Sequence, residues 1–187
     1  MTQPKSYVVR KNHGFTLIEL LLVMAIIGIL AAIAIPGLLR ARQSGNETSA
    51  IGSIKAITAG QTSYASTCGR GGYAQSNADL AKAPPNGSPF ITLDLELADQ
   101  AGHSKSGYQV TVADSHEPDN GDVTVAANTC NGSSANSRLN YFAGADPVTR
   151  GETGVRSFGS DRRGTIYFDP ATTVANPIPA GFSNFIQ

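Results

Sequence analysis

Residues 1–14 of this chain contain no acid, and Phe15 to Leu39 contain no base and a single acid, Glu19. Across all 187 residues, 14 Lys+Arg stand against 14 Asp+Glu, so the chain lacks the positive excess that a nucleic-acid surface requires. No Walker-type phosphate loop is present, and force for any mechanical role must come from another protein. No serine lies in a G-x-S-x-G elbow, so His103, His116, Ser104 and Asp114 form no recognisable hydrolase pattern. Cysteine is scarce too. Cys68 and Cys130 are the only two, too few and too far apart in sequence for a cysteine-only metal site. Pro36 to Arg42, just after the apolar run, offers no A-x-A site at which a secretory signal would be removed. No internal repeat is apparent.

The apolar run itself is the dominant feature. Its 25 residues would make a helix of roughly 37 Å, enough to cross a hydrocarbon core of about 30 Å. Lys5, Arg10 and Lys11 precede it, which places residues 1–14 on the cytoplasmic side and the rest across the membrane. A carboxylate such as Glu19 costs roughly 2.5–3.5 kcal/mol in mid-bilayer, so it needs a partner. A cut between Gly14 and Phe15 would supply one, because it frees an α-amine four residues before Glu19. Within one subunit the carboxylate would also feel the positive end of the helix dipole. Between two staggered subunits, Glu19 of one would meet the amine of the next, and packing registers that strand either charge would be penalised. The cut removes three positive charges and leaves 173 residues at a formal −3.

Gly14-Phe15-Thr16-Leu17-Ile18-Glu19, with the run from Leu20 to Pro36, resembles the N-terminus of type IV pilins and type II secretion pseudopilins. The likeness is close over residues 10–45 and is one of layout beyond. It implies removal of a leader (residues 1–14) by a prepilin peptidase, N-methylation of Phe15, and assembly of the mature subunit into a helical filament. Glu19 would contact a neighbour's N-terminus in the filament core. Residues 15–39 would be the spanning and filament-core helix, and residues 40–187 a globular head that includes the amphipathic half of the helix. Pro36 cannot donate to the carbonyl of Ala32. It is either a tolerated membrane-helix proline or, with Gly28, the mark of a segment that bends on packing, and the resemblance favours the second. The implied partners are other copies of the chain, the prepilin peptidase, an inner-membrane assembly platform and its ATPase. The implied locations are the bacterial inner membrane, then a surface filament or periplasmic pseudopilus. Adhesion, twitching motility, DNA uptake and secretion are the roles such filaments serve. A membrane-tethered periplasmic enzyme or binding domain is the alternative of another class. A plain signal anchor explains the hydrophobicity but neither Gly before Phe nor the position of Glu19. No cofactor is expected.

After Arg40 the chain turns polar but keeps helical spacing. Ala50, Ile54, Ile57, Gln61 and Tyr64 form a narrow stripe, which predicts one long helix to about Ser66 whose second half lies on a sheet. Gly45, Gly52 and Gly60 weaken it by about 1 kcal/mol each against alanine. Cys68 to Tyr73 ends the helix, and residues 69–90 read as a loop with one helical turn near Asp79-Leu80-Ala81. Alternation predicts strands at Tyr108–Val112 and Val123–Ala127 around a turn at Asn120-Gly121. A second hairpin is predicted from Val155–Phe158 and Thr165–Phe168 around Gly159–Gly164. Asn128–Asn136 reads as a loop, and Phe182, Phe185 and Ile186 are expected to dock onto the head. The fold class is α+β, a long helix packed on a small antiparallel sheet.

Both cysteines fall in the translocated part, where an oxidising compartment favours a Cys68–Cys130 disulfide. Closing a loop of about 60 residues contributes on the order of 4 kcal/mol. In many pilins the bridge encloses the last strands, but here 57 residues follow Cys130. Asp114, Glu117, Asp119 and Asp122 are weak calcium candidates, as some pseudopilins bind calcium. Their spacing does not match an EF-hand, and no metal is assigned. Arg156, Arg162 and Arg163 read as a solvated basic face rather than a DNA contact.

Overall fold

A computed structural model describes residues 14–186. The expected leader charges Lys5, Arg10 and Lys11 lie outside the described residues. By its contacts the chain divides into two units, Met1–Leu39 and Arg40–Gln187.

In the first unit, helix α1 (Leu17–Thr67) begins. Thr16 is its cap: the Thr16 Oγ accepts from the Glu19 N–H at 3.3 Å, satisfying one of the helix's free donors. The helix continues through Gly28 and Pro36 without interruption. None of its most apolar 18-residue window is buried, and Leu17, Ile18 and Ile33 are each about three-quarters exposed. A helix apolar on every side has no stable place in water and needs lipid or other apolar helices around it.

In the second unit α1 turns amphipathic. Ala50, Ile54, Ile57, Gln61 and Tyr64 are all buried, as their spacing predicts. They face a five-stranded antiparallel sheet in the order β1 (Tyr108–Asp114), β4 (Tyr141–Pro147), β5 (Ser157–Asp161), β6 (Ile166–Asp169) and β7 (Phe185–Ile186). The core joins the helix stripe to Tyr108, Val110 and Val112 of β1, to Tyr141, Ala143 and Ala145 of β4, and to Phe158 and Ile166. The short helices α2 (Asn77–Ala81) and α3 (Leu93–Leu97) lie between α1 and β1 in sequence. Helix α2 is the predicted turn, capped by Ser76, whose Oγ accepts from the Asp79 N–H at 3.1 Å. Helix α3 was not anticipated. It buries Leu95 and leaves Leu93 two-thirds exposed.

The first predicted hairpin does not form. Strand β1 pairs over seven residues with β4, whereas β2 (Asp122–Thr124) pairs with β3 (Ser137–Arg138) in a separate two-stranded sheet. Residues 126–128 form a 3-10 turn rather than extending β2. Asn120 explains the difference. Its Nδ2 donates to Asp114 Oδ1 at 2.6 Å and to the Ser115 carbonyl at 3.0 Å, while its Oδ1 accepts from the Asn140 N–H at 2.7 Å. The Asn-Gly segment is thereby clamped to the start of β4, and β4 takes the edge of β1. The second hairpin forms as β5 and β6, with β5 extended to Asp161 through residues expected in the turn. The tail docks as expected: β7 extends the sheet, and Phe182 packs edge-on to Tyr167 with ring centres 5.9 Å apart.

Cys68 and Cys130 are bridged, with Cα atoms 4.6 Å apart. The link ties the end of α1 to the loop after β2. It encloses α2, α3, β1, β2 and the 3-10 turn rather than the C-terminal strands.

Candidate functional site

The N-terminal end of α1 concentrates the residues that the sequence singles out. Gly14 and Phe15 precede the helix in exposed, non-helical backbone. Glu19 sits in the first turn, exposed, and has no ion-pair partner among the described residues. Sequence reading passed over Thr16. The spacing Thr16-x-x-Glu19 is that of a capping box, in which the N-cap hydroxyl takes the N–H of the third helical residue and the glutamate reaches back. Only the first half is present among the described hydrogen bonds. The Thr16 hydroxyl caps the helix, and the Glu19 carboxylate is left available to something outside its own first turn.

The head disposes of the other candidate groups. Asp114 and Asp122 both pair with Arg138, at 2.6 and 3.1 Å, and Glu117 accepts from Asn140 Nδ2 at 2.7 Å. A guanidinium thus stands where a shared cation would need to sit, and no group of three or more metal-type side chains occurs among the described residues. The basic trio is divided as well. Arg163 chelates Asp161 and lies 5.3 Å from the Tyr167 ring centre, while Arg156 is held by Glu47. His116 offers its backbone N–H to Asn176, and Asp114, the imagined acid of a hydrolase set, belongs to Arg138 and Asn120.

Glu47 is a further residue the sequence did not single out. It is buried on α1 and clasps the loop before β5. Its Oε1 accepts the N–H groups of Val155 and Arg156 at 3.0 and 3.1 Å, and its Oε2 accepts Arg156 Nε and Nη2 at 2.9 and 2.8 Å. Burial pushes the carboxyl upward, but these hydrogen bonds outweigh it and hold Glu47 below the ordinary glutamate value. Arg156 in turn lies over Phe158 and Phe168, 5.5 and 5.4 Å from their ring centres.

Residues 9–35 match the family model described as the prokaryotic N-terminal methylation motif. The chain carries that motif. Gly14, Phe15, Thr16, Glu19 and Gly28 fall inside the methylation motif, and Pro36 follows its last matched residue. Three curated relatives match parts of the chain. The type IV major pilin protein PilA of Myxococcus xanthus is 40% identical over 80 residues, 43% of this chain and 36% of the relative. The type IV wide pilus major component PilA4 of Thermus thermophilus is 64% identical over 39 residues, 21% of this chain and 30% of the relative. The type II secretion system core protein G of Pseudomonas aeruginosa is 44% identical over 55 residues, 29% of this chain and 39% of the relative. In each case the match spans less than two-fifths of the relative's length. No solved structure gives a significant match. The motif runs into the first part of α1, the long helix whose later part packs on a small antiparallel sheet in a pilin-like α+β arrangement.

Proposed function

We propose that this protein is a structural subunit of a type IV pilus-like filament. Residues 1–14 are its leader, removed by a prepilin peptidase between Gly14 and Phe15, and Phe15 becomes the N-methylated terminus. Before assembly, residues 15–39 hold the subunit in the inner membrane with residues 40–187 on the periplasmic side. After assembly the same helix packs in the filament core, where Glu19 pairs with a neighbour's terminal amine and Gly28 and Pro36 let the helix bend. An inner-membrane platform and its ATPase supply the force, since the chain has no phosphate loop of its own.

One observation carries the reading. Glu19 is the single charge of an apolar helical run with no buried residue and lacks an ion-pair partner among the described residues. Intact-mass measurement of the mature protein tests the processing step: the expected species starts at Phe15 and carries one added methyl group. A species that retains residues 1–14 yet builds filaments would overturn the proposal. Glu19→Ala is expected to leave membrane insertion intact and to reduce filament yield at least tenfold, equivalent to about 1.4 kcal/mol per subunit contact. Normal yield from that variant would remove the charge-pair role.

The match to a type II secretion core protein favours a second reading, a pseudopilus subunit. Shearing cells and probing the released material distinguishes the two, because surface filaments containing this chain belong to a pilus.

A further inference from the structure

The head carries a groove on one flank of α1 and an exposed apolar side chain on the short helix α3 at the other. The groove, about 590 Å³, lies between the exposed edge of α1 and the last strands, and is lined by Lys55, Thr58, Ala59, Ile166, Phe185 and Ile186. Its walls are mainly apolar. Phe185 is nearly half exposed, and Lys55 at the rim has no ion-pair partner among the described residues. At the other flank α3 lies beside Ala56, where Leu93 borders a shallower hollow. Leu93, at 66% exposed, is the most exposed large apolar side chain of the head among the described residues. Two acids flank it. Asp94 is held by Lys105 at 2.7 Å, and Glu96 is unpaired among the described residues.

At 100° per residue, Lys55, Thr58 and Ala59 lie on one side of the exposed face of α1 and Ala56 on the other, roughly 110° around the helix. One flank offers an apolar hollow rimmed by a cation, and the other an exposed leucine near a carboxylate with no ion-pair partner among the described residues. The two surfaces differ, so two copies joined through them meet head to tail. Such a contact repeats into an open helix unless its rotation closes a ring.

We propose that the groove takes α3 of a second copy of this chain, with Leu93 seated against Phe185 and Ile166 and Glu96 answering Lys55. This inference rests on the filament reading above and names the contact between heads within it.

Zero-length cross-linking of sheared filaments tests it. A water-soluble carbodiimide condenses the Lys55 amine with the Glu96 carboxylate into an amide, and the water removed converts the carbodiimide to its urea. Filaments built from mixed 14N- and 15N-labelled subunits are expected to give a Lys55–Glu96 peptide pair of mixed isotope, which marks the bond as intermolecular. Lys55→Glu alone, and Glu96→Lys alone, are expected to lower filament yield about tenfold, the effect of roughly 1.4 kcal/mol per contact. The double reversal restores most of it, and Leu93→Asp lowers yield with no rescue. All three side chains are at least partly exposed, so circular dichroism of each variant should match the parent. Wild-type filaments without the mixed cross-link, cross-links from Lys55 to another protein, or a double reversal that fails to restore yield would each overturn the inference and leave the filament reading standing. Absence of wild-type filaments would sink that reading, and this inference with it.

Discussion

Removing the Glu47 clasp isolates what holds the loop before β5 to the helix. Glu47 is 11% exposed at its side chain and Arg156 39%, so the pair is half sheltered. Breaking a fully buried pair by deleting one partner costs about 3–5 kcal/mol, and the solvent reaching Arg156 lowers that figure. Glu47→Ala also leaves the Val155 and Arg156 N–H groups without their acceptor. The expected loss is about 3 kcal/mol. Glu47→Gln keeps one oxygen for the two backbone donors but turns an amide toward a guanidinium, and about 1–2 kcal/mol is expected. Urea unfolding of the mature chain in detergent, followed by circular dichroism, reads both. A double-mutant cycle with Arg156→Gln should give a coupling of about 1–2 kcal/mol. The pH dependence adds an independent arm. Glu47 titrates lower in the folded protein than its ordinary value of 4.5. Its contribution is therefore complete above that value and is lost as pH falls through the folded value. Wild type should lose stability below about pH 4.5 more steeply than Glu47→Gln, which has no proton to bind. Parallel acid profiles, or a coupling within about 0.3 kcal/mol of zero, would refute the clasp.

Two further perturbations read the packing of α1 against the segment that follows it. Gln61 is fully buried and bonds both polar groups of Ala74, accepting its N–H at 2.9 Å and donating to its carbonyl at 2.7 Å. Gln61→Leu should destabilise by about 2–4 kcal/mol, because both backbone groups lose their partner, and the urea midpoint reports it. Gly60 and Gly52 should respond with opposite signs. A Cβ on Gly60 would lie 2.7 Å from the Phe90 carbonyl oxygen, whereas one on Gly52 meets nothing within 4 Å. Gly52→Ala should gain about 0.5–1 kcal/mol of helix propensity. Gly60→Ala should lose about 1–3 kcal/mol net, as overpacking against backbone outweighs the same gain. Thermal unfolding of the two variants side by side is sufficient.

How much of this was legible depended on whether one periodicity could carry it. The helix stripe was readable because Ala50, Ile54, Ile57 and Tyr64 repeat on one face, and all are buried. Gln61 broke the stripe chemically but not spatially, since its partner is a backbone pair 13 residues away. Strand β4 was invisible: Tyr-Phe-Ala-Gly-Ala-Asp-Pro has small residues where strand propensity looks for branched ones. Yet Ala143 and Ala145 are fully buried in the core. With β4 unseen, the alternation in β1 and β2 was joined into a hairpin that the side chain of Asn120 prevents. The N-terminal end was legible because its signal is chemical. One carboxylate in an apolar run stands out whatever the fold. The capping role of Thr16 was missed, although the Thr-x-x-Glu spacing signals it.

Glu19 and Glu47 offer a comparison within a single helix. Both are glutamates of α1, and both sit where a bare charge is expensive, one in an apolar run and the other buried under the head. Glu47 is answered inside the chain by two backbone N–H groups and a guanidinium, which together overcome its desolvation. For Glu19 the described residues supply only a hydroxyl that serves its backbone and leaves its carboxylate untouched. A chain able to surround one glutamate with four donors is not short of means to satisfy the other. The contrast supports a partner for Glu19 that comes from outside the subunit, and a terminal amine on a neighbouring helix has the charge and the apolar setting to provide it. A Glu19→Gln chain that assembles with normal yield and normal register would remove that argument, because the amide keeps the side chain's shape and one acceptor oxygen but loses the charge.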